Sequence, residues 1–283
     1  MRTRSLFLIA GFLFVLLPGC HKEHSDEGGK KSKTNPLPSD YPFATGYCDG
    51  VSLGIPIPDT IYYLPVSTGP LPVSLLLDMP AAGNQGSQGS CSAWATIYGA
   101  GTHYMHFTTA KPYSDTGNLS PKFTYNQITK GDCKCTAILE HLYLLKTYGA
   151  SSLQLMPYDA RECAIQPDSL QKARAEPYKI KGWQKVNLHD PALIKRAVLE
   201  HKPVIFAITT DDGFQQIAAP YIWKSRVGSI GQPHAMVITG YDDNKNAFRI
   251  MNSWSTAWGD DGFAWIDFDF FMTNVLEGGY III

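Results

Sequence analysis

Two stretches of the chain carry apolar residues at helical spacing. In residues 136–148 apolar side chains recur three and four positions apart, and Gly149 follows the last of them, which predicts an amphipathic helix with a glycine stop. Residues 190–200 begin with Asp190 and Pro191 and continue with the same spacing, so they predict a second helix capped by the aspartate. The first half of the chain is therefore predicted to be mostly helical.

The second half shows the patterns that are typical of β-strands. Runs rich in β-branched and aromatic residues alternate with turn residues, and they read PVIFAIT (203–209), HAMVITGYD (234–242), AFRIMNSW (247–254) and GFAWIDFDFF (262–271). A mostly helical half followed by a strand-rich half is an α+β pattern, and it is compatible with two lobes that meet at a cleft. We expect the helical lobe at about 85–180 and the strand-rich lobe at about 181–283.

The segments before this pattern have a different character. Residues 1–19 combine arginines with an apolar run that is too short for a membrane span, which predicts a signal peptide. The residues LPG before Cys20 resemble a bacterial lipobox, so we expect lipidation of Cys20 and anchoring in the bacterial cell envelope. Ordinary secretion is the alternative.

The chain between Cys20 and the folded domain has little to bury. Residues 20–40 are charged and rich in turn formers, which predicts a disordered tether. Residues 41–73 contain more proline, glycine and aromatic residues, and we expect this N-terminal extension to wrap on the surface of the domain formed by residues 74–283. It contains no long charged helix, and so no obvious inhibitory segment.

Composition narrows the possible partners. The chain has 283 residues, of which 44% are hydrophobic and 17% charged, and its formal net charge is −1. A nucleic-acid partner would require a basic surface, so the near-neutral balance argues against one.

The first candidate for chemistry is Cys91. It follows the glycine-rich stretch GNQGSQGS (83–90) and precedes residues with helical composition. A thiolate at the start of a helix is stabilised by the helix dipole. The alternative is a buried structural cysteine after a surface loop.

The second candidate is a pair, His234 and Asn252. The two runs that contain them flank a turn at 242–246, and their midpoint, (234 + 252)/2 = 243, lies inside it. A hairpin would place the two side chains opposite each other or within one residue of it. An amide oxygen could then fix the tautomer and orientation of the imidazole, as a general base requires. A purely structural pair is the alternative.

Together these residues resemble the papain family of cysteine peptidases. His234 and Asn252 follow Cys91 by 143 and 161 residues (234 − 91 and 252 − 91), close to the family's Cys…His…Asn spacing. The stretch NQGSQGSC (84–91) matches the nucleophile motif, and NSW (252–254) with WG (258–259) and GF (262–263) matches the asparagine motif. The resemblance covers about 75–283, and the form of its motifs is similar to the bacterial branch.

The resemblance implies a papain-like two-lobed fold, with a helical lobe and a β-barrel-like lobe around the active-site cleft. It also implies a thiol endopeptidase that hydrolyses polypeptides through a Cys91 thioester, with His234 as general acid/base and no cofactor or metal. Gln85 would supply the oxyanion hole and Asn252 would orient the histidine. The implied cleft residues are Trp254, which shields the histidine, Gly89 and Ser90.

The chain also departs from the family pattern. Gln88 stands in place of a cysteine that usually forms a disulfide, and Ser92 replaces a common aromatic residue. KGDCKC (130–135) occupies the region of the paired glycines of the cleft, and Pro233 precedes the histidine where an acidic residue is frequent. No catalytic group is lost, but subsite specificity cannot be carried over.

Of six cysteines, Cys20 is assigned to lipid and Cys91 to catalysis, which leaves an even number for disulfides. The four are Cys48, Cys133, Cys135 and Cys163. The resemblance implies that Cys163 pairs with Cys133 or Cys135, and the remaining one could reach Cys48. A metal site at the C-x-C pair is the alternative, although no matching pair of ligands accompanies it.

Two other functions remain open at this point. The domain could be a catalytically silent papain-like module that binds partners at the surface, although all four chemical positions are filled. It could also be an amidase or acyltransferase with a Cys–His centre on another fold, which the NSW…WG segment argues against.

Overall fold

The protein's structure is a computed structural model that describes residues 43–51, 54, 60–276 and 278–283. They belong to one unit, Thr34–Ile283. The predicted signal peptide (1–19), the predicted tether (20–40) and the lipidation site Cys20 lie outside the described residues. Within the described ranges, no helix has the length and apolar character needed to cross a membrane.

The helical lobe is built around the helical run that begins at the candidate nucleophile. This run consists of α1 (Cys91–Ala93), a π-helix (Trp94–Gly101) and α2 (Thr102–Thr109). It is followed by α3 (Pro121–Thr129), α4 (Ile138–Tyr148), α5 (Ser169–Ala175) and a 3-10 turn (Glu176–Tyr178).

The two helices predicted from apolar spacing are confirmed. Helix α4 ends at Gly149, whose φ of +76° lies in the region that favours glycine. Helix α6 (Pro191–Leu199) starts at Asp190, and the Asp190 carboxylate accepts hydrogen bonds from the backbone N–H groups of the next turn.

The strands form one eight-stranded sheet in the order β2-β8-β3-β5-β6-β7-β4, with β1 paired to β5. Their bounds are β1 (Ser74–Leu76), β2 (Trp183–Val186), β3 (Val204–Asp211), β4 (Ile222–Trp223), β5 (Ile230–Asp242), β6 (Ala247–Met251), β7 (Phe263–Asp267) and β8 (Gly279–Ile282). Two short helices, α7 (Asp212–Gln215) and α8 (Phe268–Asn274), complete the strand-rich lobe.

One predicted strand is too long. The run at 262–271 was expected to be extended throughout, but β7 stops at Asp267 and α8 begins at the next residue. The Asp267 carboxylate accepts the Phe270 N–H at 3.0 Å, which caps the new helix. The hydrophobic pattern of these residues does not distinguish a strand from a helix, and the Asp267 cap favours the helix.

Strands β3 and β5 separate two hydrophobic cores. Successive side chains of a strand point to opposite faces, so Phe206 and Met236 enter the core of the strand-rich lobe while Ala207 and Ala235 enter the core that contains the helices. Cys91 belongs to this second core. The alternation of β5 therefore brings the strand that carries His234 against the start of the nucleophile helix.

Candidate active site

The loop before Cys91 is attached to the strand-rich lobe. Gly86 has φ +59°, and its N–H donates to the Asn84 side-chain oxygen at 2.9 Å, which folds the loop into a tight turn. The Gln85 N–H donates to the Ser253 carbonyl at 2.8 Å. The loop that leads to the thiol is thus joined to the asparagine segment of the other lobe.

The strand that carries His234 contacts Cys91 through the next residue, Ala235. The backbone N–H of Ala235 donates to the Cys91 sulfur at 3.3 Å. The structure therefore brings the predicted nucleophile, on the helical lobe, to the strand position that carries the predicted base.

Asn252 holds the imidazole of His234. The imidazole Nε2 lies 2.7 Å from the Asn252 side-chain oxygen, and Nδ1 has no hydrogen-bond partner among the described residues. An amide oxygen can only accept, so Nε2 carries the proton and Nδ1 is left as the basic nitrogen. The Trp254 ring stacks on the imidazole at 4.6 Å between centroids.

The predicted contact between the side chains of His234 and Asn252 is present, but the strand register predicted for it is wrong. Val237 lies opposite Met251, and continuing this register would place Trp254 opposite His234. Asp242 lies opposite Ala247, so the hairpin is centred at 244.5, (242 + 247)/2, and not at 243. The β-bulge between Ile238 and Gly240 moves the pairing back by only one residue, and β6 ends before Asn252. The two side chains meet because Asn252 leaves the strand.

The Gln85 carboxamide is fixed from both sides. The Ser253 hydroxyl donates to its oxygen at 2.6 Å, and its nitrogen donates one hydrogen to the Gln88 carbonyl at 2.8 Å. A primary amide has two N–H groups, so the second N–H of Gln85 takes no part in these two contacts.

Tyr158 is a site residue that the sequence did not single out. Its hydroxyl lies 2.7 Å from the Ser90 hydroxyl, 2.9 Å from the Gln85 carbonyl and 2.8 Å from the Gln88 side-chain oxygen. It therefore joins three residues of the loop before Cys91. The sequence feature that could have pointed to Tyr158 was Gln88, a polar residue in place of a disulfide cysteine that needs a hydrogen-bond partner.

The cleft between the lobes is filled by the N-terminal segment, residues 43–48. The Phe43 ring stacks on Trp254 at 4.7 Å between centroids, and the Ala44 carbonyl accepts the Trp254 indole N–H at 2.9 Å. Further along, the Gly46 carbonyl accepts the Thr136 N–H at 3.0 Å. The expectation that this extension only wraps on the surface is wrong for these residues, since the cleft offers buried partners to their backbone.

This segment leaves the reacting groups fully buried. The side chains of Cys91 and His234 are both 0% exposed. Burial raises the pKa of the Cys91 thiol to about 11, against the opposing effect of backbone N–H groups from Ala235 and Gly46, and it lowers the pKa of His234 to about 4. Both shifts favour the neutral thiol and the neutral imidazole while the site is buried.

The cysteines resolve the alternatives left open by the sequence. Cys48 is bonded to Cys135 and Cys133 to Cys163, and Cys91 is the free cysteine of the described chain. Among the residues that the structure describes, no group of three or more His, Cys, Asp or Glu side chains is placed to hold a metal ion.

Comparison with known proteins gives one consistent result. The model of the papain family cysteine protease matches residues 78–274. Cysteine protease XCP2 of Arabidopsis thaliana is 27% identical over 183 residues, covering 64% of this chain and 49% of its own. Cathepsin J of Rattus norvegicus is 31% identical over 195 residues, covering 64% of this chain and 54% of its own. The chain thus spans about half the length of these relatives.

Solved structures share the fold. Xylellain, a cysteine protease from Xylella fastidiosa, aligns with a TM-score of 0.73 at 20% identity and covers 88% of this chain and 98% of its own. Digestive procathepsin L 3 of Tenebrio molitor aligns with a TM-score of 0.63 at 18% identity, covering 79% and 73%. The α+β, two-lobed papain-like architecture predicted from the sequence is confirmed, and with its matched motifs the chain belongs to the papain family of cysteine proteases.

Proposed function

We propose that the protein is a thiol endopeptidase that cleaves polypeptides with Cys91 as nucleophile and His234 as general acid/base. One observation carries this proposal. The imidazole is held at Nε2 by Asn252, its Nδ1 is free, and the next residue of the strand donates its N–H to the Cys91 sulfur. A thiol next to an oriented base is the arrangement that activates a nucleophile.

The reaction would follow from these groups once a substrate replaces the N-terminal segment. His234 takes the thiol proton, and the thiolate attacks the peptide carbonyl. The Cys91 backbone N–H and the second N–H of the Gln85 amide stabilise the oxyanion. His234 then protonates the leaving amine, and it later activates the water that hydrolyses the Cys91 thioester.

The path of residues 43–48 supports cleavage within a chain. Phe43 lies against Trp254 at one end of this path, and Cys48 is bonded to Cys135 at the other. Between them, the Gly46 N–H contacts the Cys91 thiol. The cleft thus accepts a polypeptide that extends on both sides of the nucleophile, as an endopeptidase requires.

Digestion of a peptide library is the direct test. The thiol-treated wild type should cleave internal bonds, and Cys91→Ala, treated identically, should cleave none. Equal digestion by both proteins would show that the activity comes from elsewhere. A folded wild type whose Cys91 is alkylated rapidly but which cleaves no peptide would contradict the proposal in favour of a silent binding module.

We also propose that the enzyme works in the bacterial cell envelope, anchored through lipid on Cys20. The short apolar run before Cys20 supports export, and the two disulfides suit an oxidising compartment. Metabolic labelling with palmitate should mark the wild type and not Cys20→Ser. Unchanged labelling of the variant would refute the assignment.

A further inference from the structure

The N-terminal segment, residues 43–48, lies in the cleft against the nucleophile. Its Gly46 N–H is hydrogen-bonded to the Cys91 thiol. The Gly46 carbonyl accepts the Thr136 N–H at 3.0 Å and is thereby engaged with the helical lobe. The segment therefore covers the nucleophile and is held there by its own backbone.

The fit at this point is tight enough to require glycine. A β-carbon at Gly46 would overlap the backbone of Gly89, in the loop before the nucleophile. Ala44, Thr45 and Gly46 are all buried. The segment therefore fills the space in which a substrate would meet Cys91.

A disulfide fixes the end of this segment to the helical lobe. Cys48 is bonded to Cys135, and the Cys48 N–H donates to the Thr136 carbonyl at 3.2 Å. Further along the chain, the Ile61 carbonyl accepts the Lys185 N–H at 2.9 Å and the Tyr63 N–H donates to the Lys185 carbonyl at 2.8 Å. If the disulfide opened, residues 43–48 could leave the cleft while Tyr63 stayed attached and the domain stayed folded.

The same disulfide is accessible to solvent. Cys48 and Cys135 are both partly exposed, so an external thiolate can reach this bridge. In the other bridge Cys133 is exposed and Cys163 is buried at 3% exposure. An external thiolate can reach a sulfur only if that sulfur is exposed, and exposed disulfides are the ones that exchange readily.

From this geometry we infer that the Cys48–Cys135 disulfide is a reversible lock that keeps residues 43–48 in the active-site cleft and the peptidase inactive. A dithiol reductant opens it. One thiolate of the reductant attacks a sulfur of the bridge, its second thiol resolves the mixed disulfide, and the reductant leaves as a cyclic disulfide. Cys48 and Cys135 each gain one electron and one proton. The loss of activity in the locked form rests on the proposed peptidase function, whereas the covering of Cys91 by residues 43–48 does not.

The test follows the alkylation of Cys91 by iodoacetamide in the full chain, located by peptide mapping. Without reductant, the wild type should react slowly because Cys91 is covered. The Cys48→Ser/Cys135→Ser variant should react at least about tenfold faster without any thiol present, because nothing else ties the segment to the lobe covalently. Cys133→Ser/Cys163→Ser is the matched control, and it should stay as slow as the oxidised wild type.

Two further samples keep the result clear if the double variant folds poorly. Wild type treated with dithiothreitol and then desalted should become reactive, and mapping should show that Cys48–Cys135 has opened. Gly46→Ala should react rapidly with its disulfides intact, because its β-carbon cannot be accommodated beside Gly89. Circular dichroism checks that each sample is folded.

Three outcomes would overturn the lock. The first is that the oxidised wild type already reacts as fast as the double variant. The second is that the double variant, or the dithiol-treated wild type, stays as slow as the oxidised wild type. The third is that the Cys133→Ser/Cys163→Ser control reacts as fast as the double variant. Rapid alkylation of the Cys48→Ser/Cys135→Ser variant without peptide cleavage would support the lock and contradict the peptidase function, so the two proposals fail separately.

Discussion

The contacts of the Gln85 side chain support the role in the oxyanion hole that we propose for it. Its carboxamide oxygen is occupied by the Ser253 hydroxyl and one N–H by the Gln88 carbonyl, so the amide cannot rotate and its second N–H keeps one direction. A donor held in place stabilises the oxyanion without reorganisation during the reaction.

Replacing Gln85 by alanine should therefore affect turnover and spare the thiol. In protein opened with dithiol, Gln85→Ala should lower kcat by about 10²-fold or more, because an oxyanion donor acts on the transition state. The rate of Cys91 alkylation should match that of the wild type. A loss confined to KM, or an equal loss in alkylation, would contradict the assigned role.

Tyr158 acts on the same loop from the other side. Its hydroxyl accepts from Ser90 and has one proton to share between the Gln85 carbonyl and the Gln88 side-chain oxygen. Tyr158→Phe should lower kcat by about 3- to 10-fold with little change in KM, since the loss of a neutral hydrogen bond loosens the loop by about 1 kcal/mol. Tyr148→Phe, at a half-exposed surface tyrosine, is the matched control and should leave kcat unchanged. Equal kcat values for both variants would show that Tyr158 does not position the loop.

Some residues of the candidate site could be predicted from the sequence and others could not, and the difference has a physical reason. Cys91, His234, Asn252 and Gln85 stand in short motifs, and the structure brings all four together. Tyr158 could not be identified in that way, because its role depends on three contacts made by folding residues that are about 70 positions apart. The local sequence around a single tyrosine does not predict such contacts.

At the level of elements, the helices were predicted best because their ends are encoded locally. Asp190 caps α6 with its own carboxylate, and Gly149 ends α4 with a positive φ. The register of β5 and β6 was predicted less well. The turn is centred at 244.5, (242 + 247)/2, and not at 243, because the alternation of apolar residues does not reveal which residue of the polar run 242–246 is still paired in the strand.

The end of α4 gives a prediction for stability. Gly149 has φ +76° and ψ −160°, and a β-carbon there would overlap the Ala175 carbonyl oxygen. Gly149→Ala should lower the free energy of unfolding by about 1–3 kcal/mol or more, measured by urea denaturation. Gly182→Ala, whose β-carbon would meet only ordinary contacts with Ile283, should change it by less than about 0.5 kcal/mol. Similar losses in the two variants would contradict the backbone explanation.

For the whole molecule, the closed cleft was the feature hardest to predict. Residues 43–48 have no helical or strand periodicity, and their position depends on a cleft formed by residues far along the chain. The resemblance to the papain family implied that Cys48 could be bonded to Cys133 or Cys135, and it is bonded to Cys135. That this disulfide holds residues 43–48 over Cys91 could be seen only in the folded structure.

Closure also determines how the oxidised protein responds to pH. Burial lowers the pKa of His234 from 6.5 to about 4, so the closed form binds fewer protons than the unfolded chain between these values. The stability from keeping His234 neutral is complete above pH 6.5 and is lost as the pH falls toward 4. Burial raises the pKa of Cys91 from 9.0 to about 11, so its contribution is complete below pH 9 and is lost as the pH rises through 11.

The oxidised wild type should therefore be most stable between about pH 6.5 and 9, with an acid loss from His234 of at most about 3 kcal/mol. His141, buried in the helical lobe with a pKa of about 3, adds an acid loss of its own in open and closed forms alike. The difference between oxidised wild type and Cys48→Ser/Cys135→Ser isolates the cleft, because opening exposes His234 and leaves His141 buried. Urea denaturation at pH 7.5 and 4.5 should show the larger loss in the oxidised wild type. Equal losses in the two proteins would mean that residues 43–48 do not control the protonation of His234.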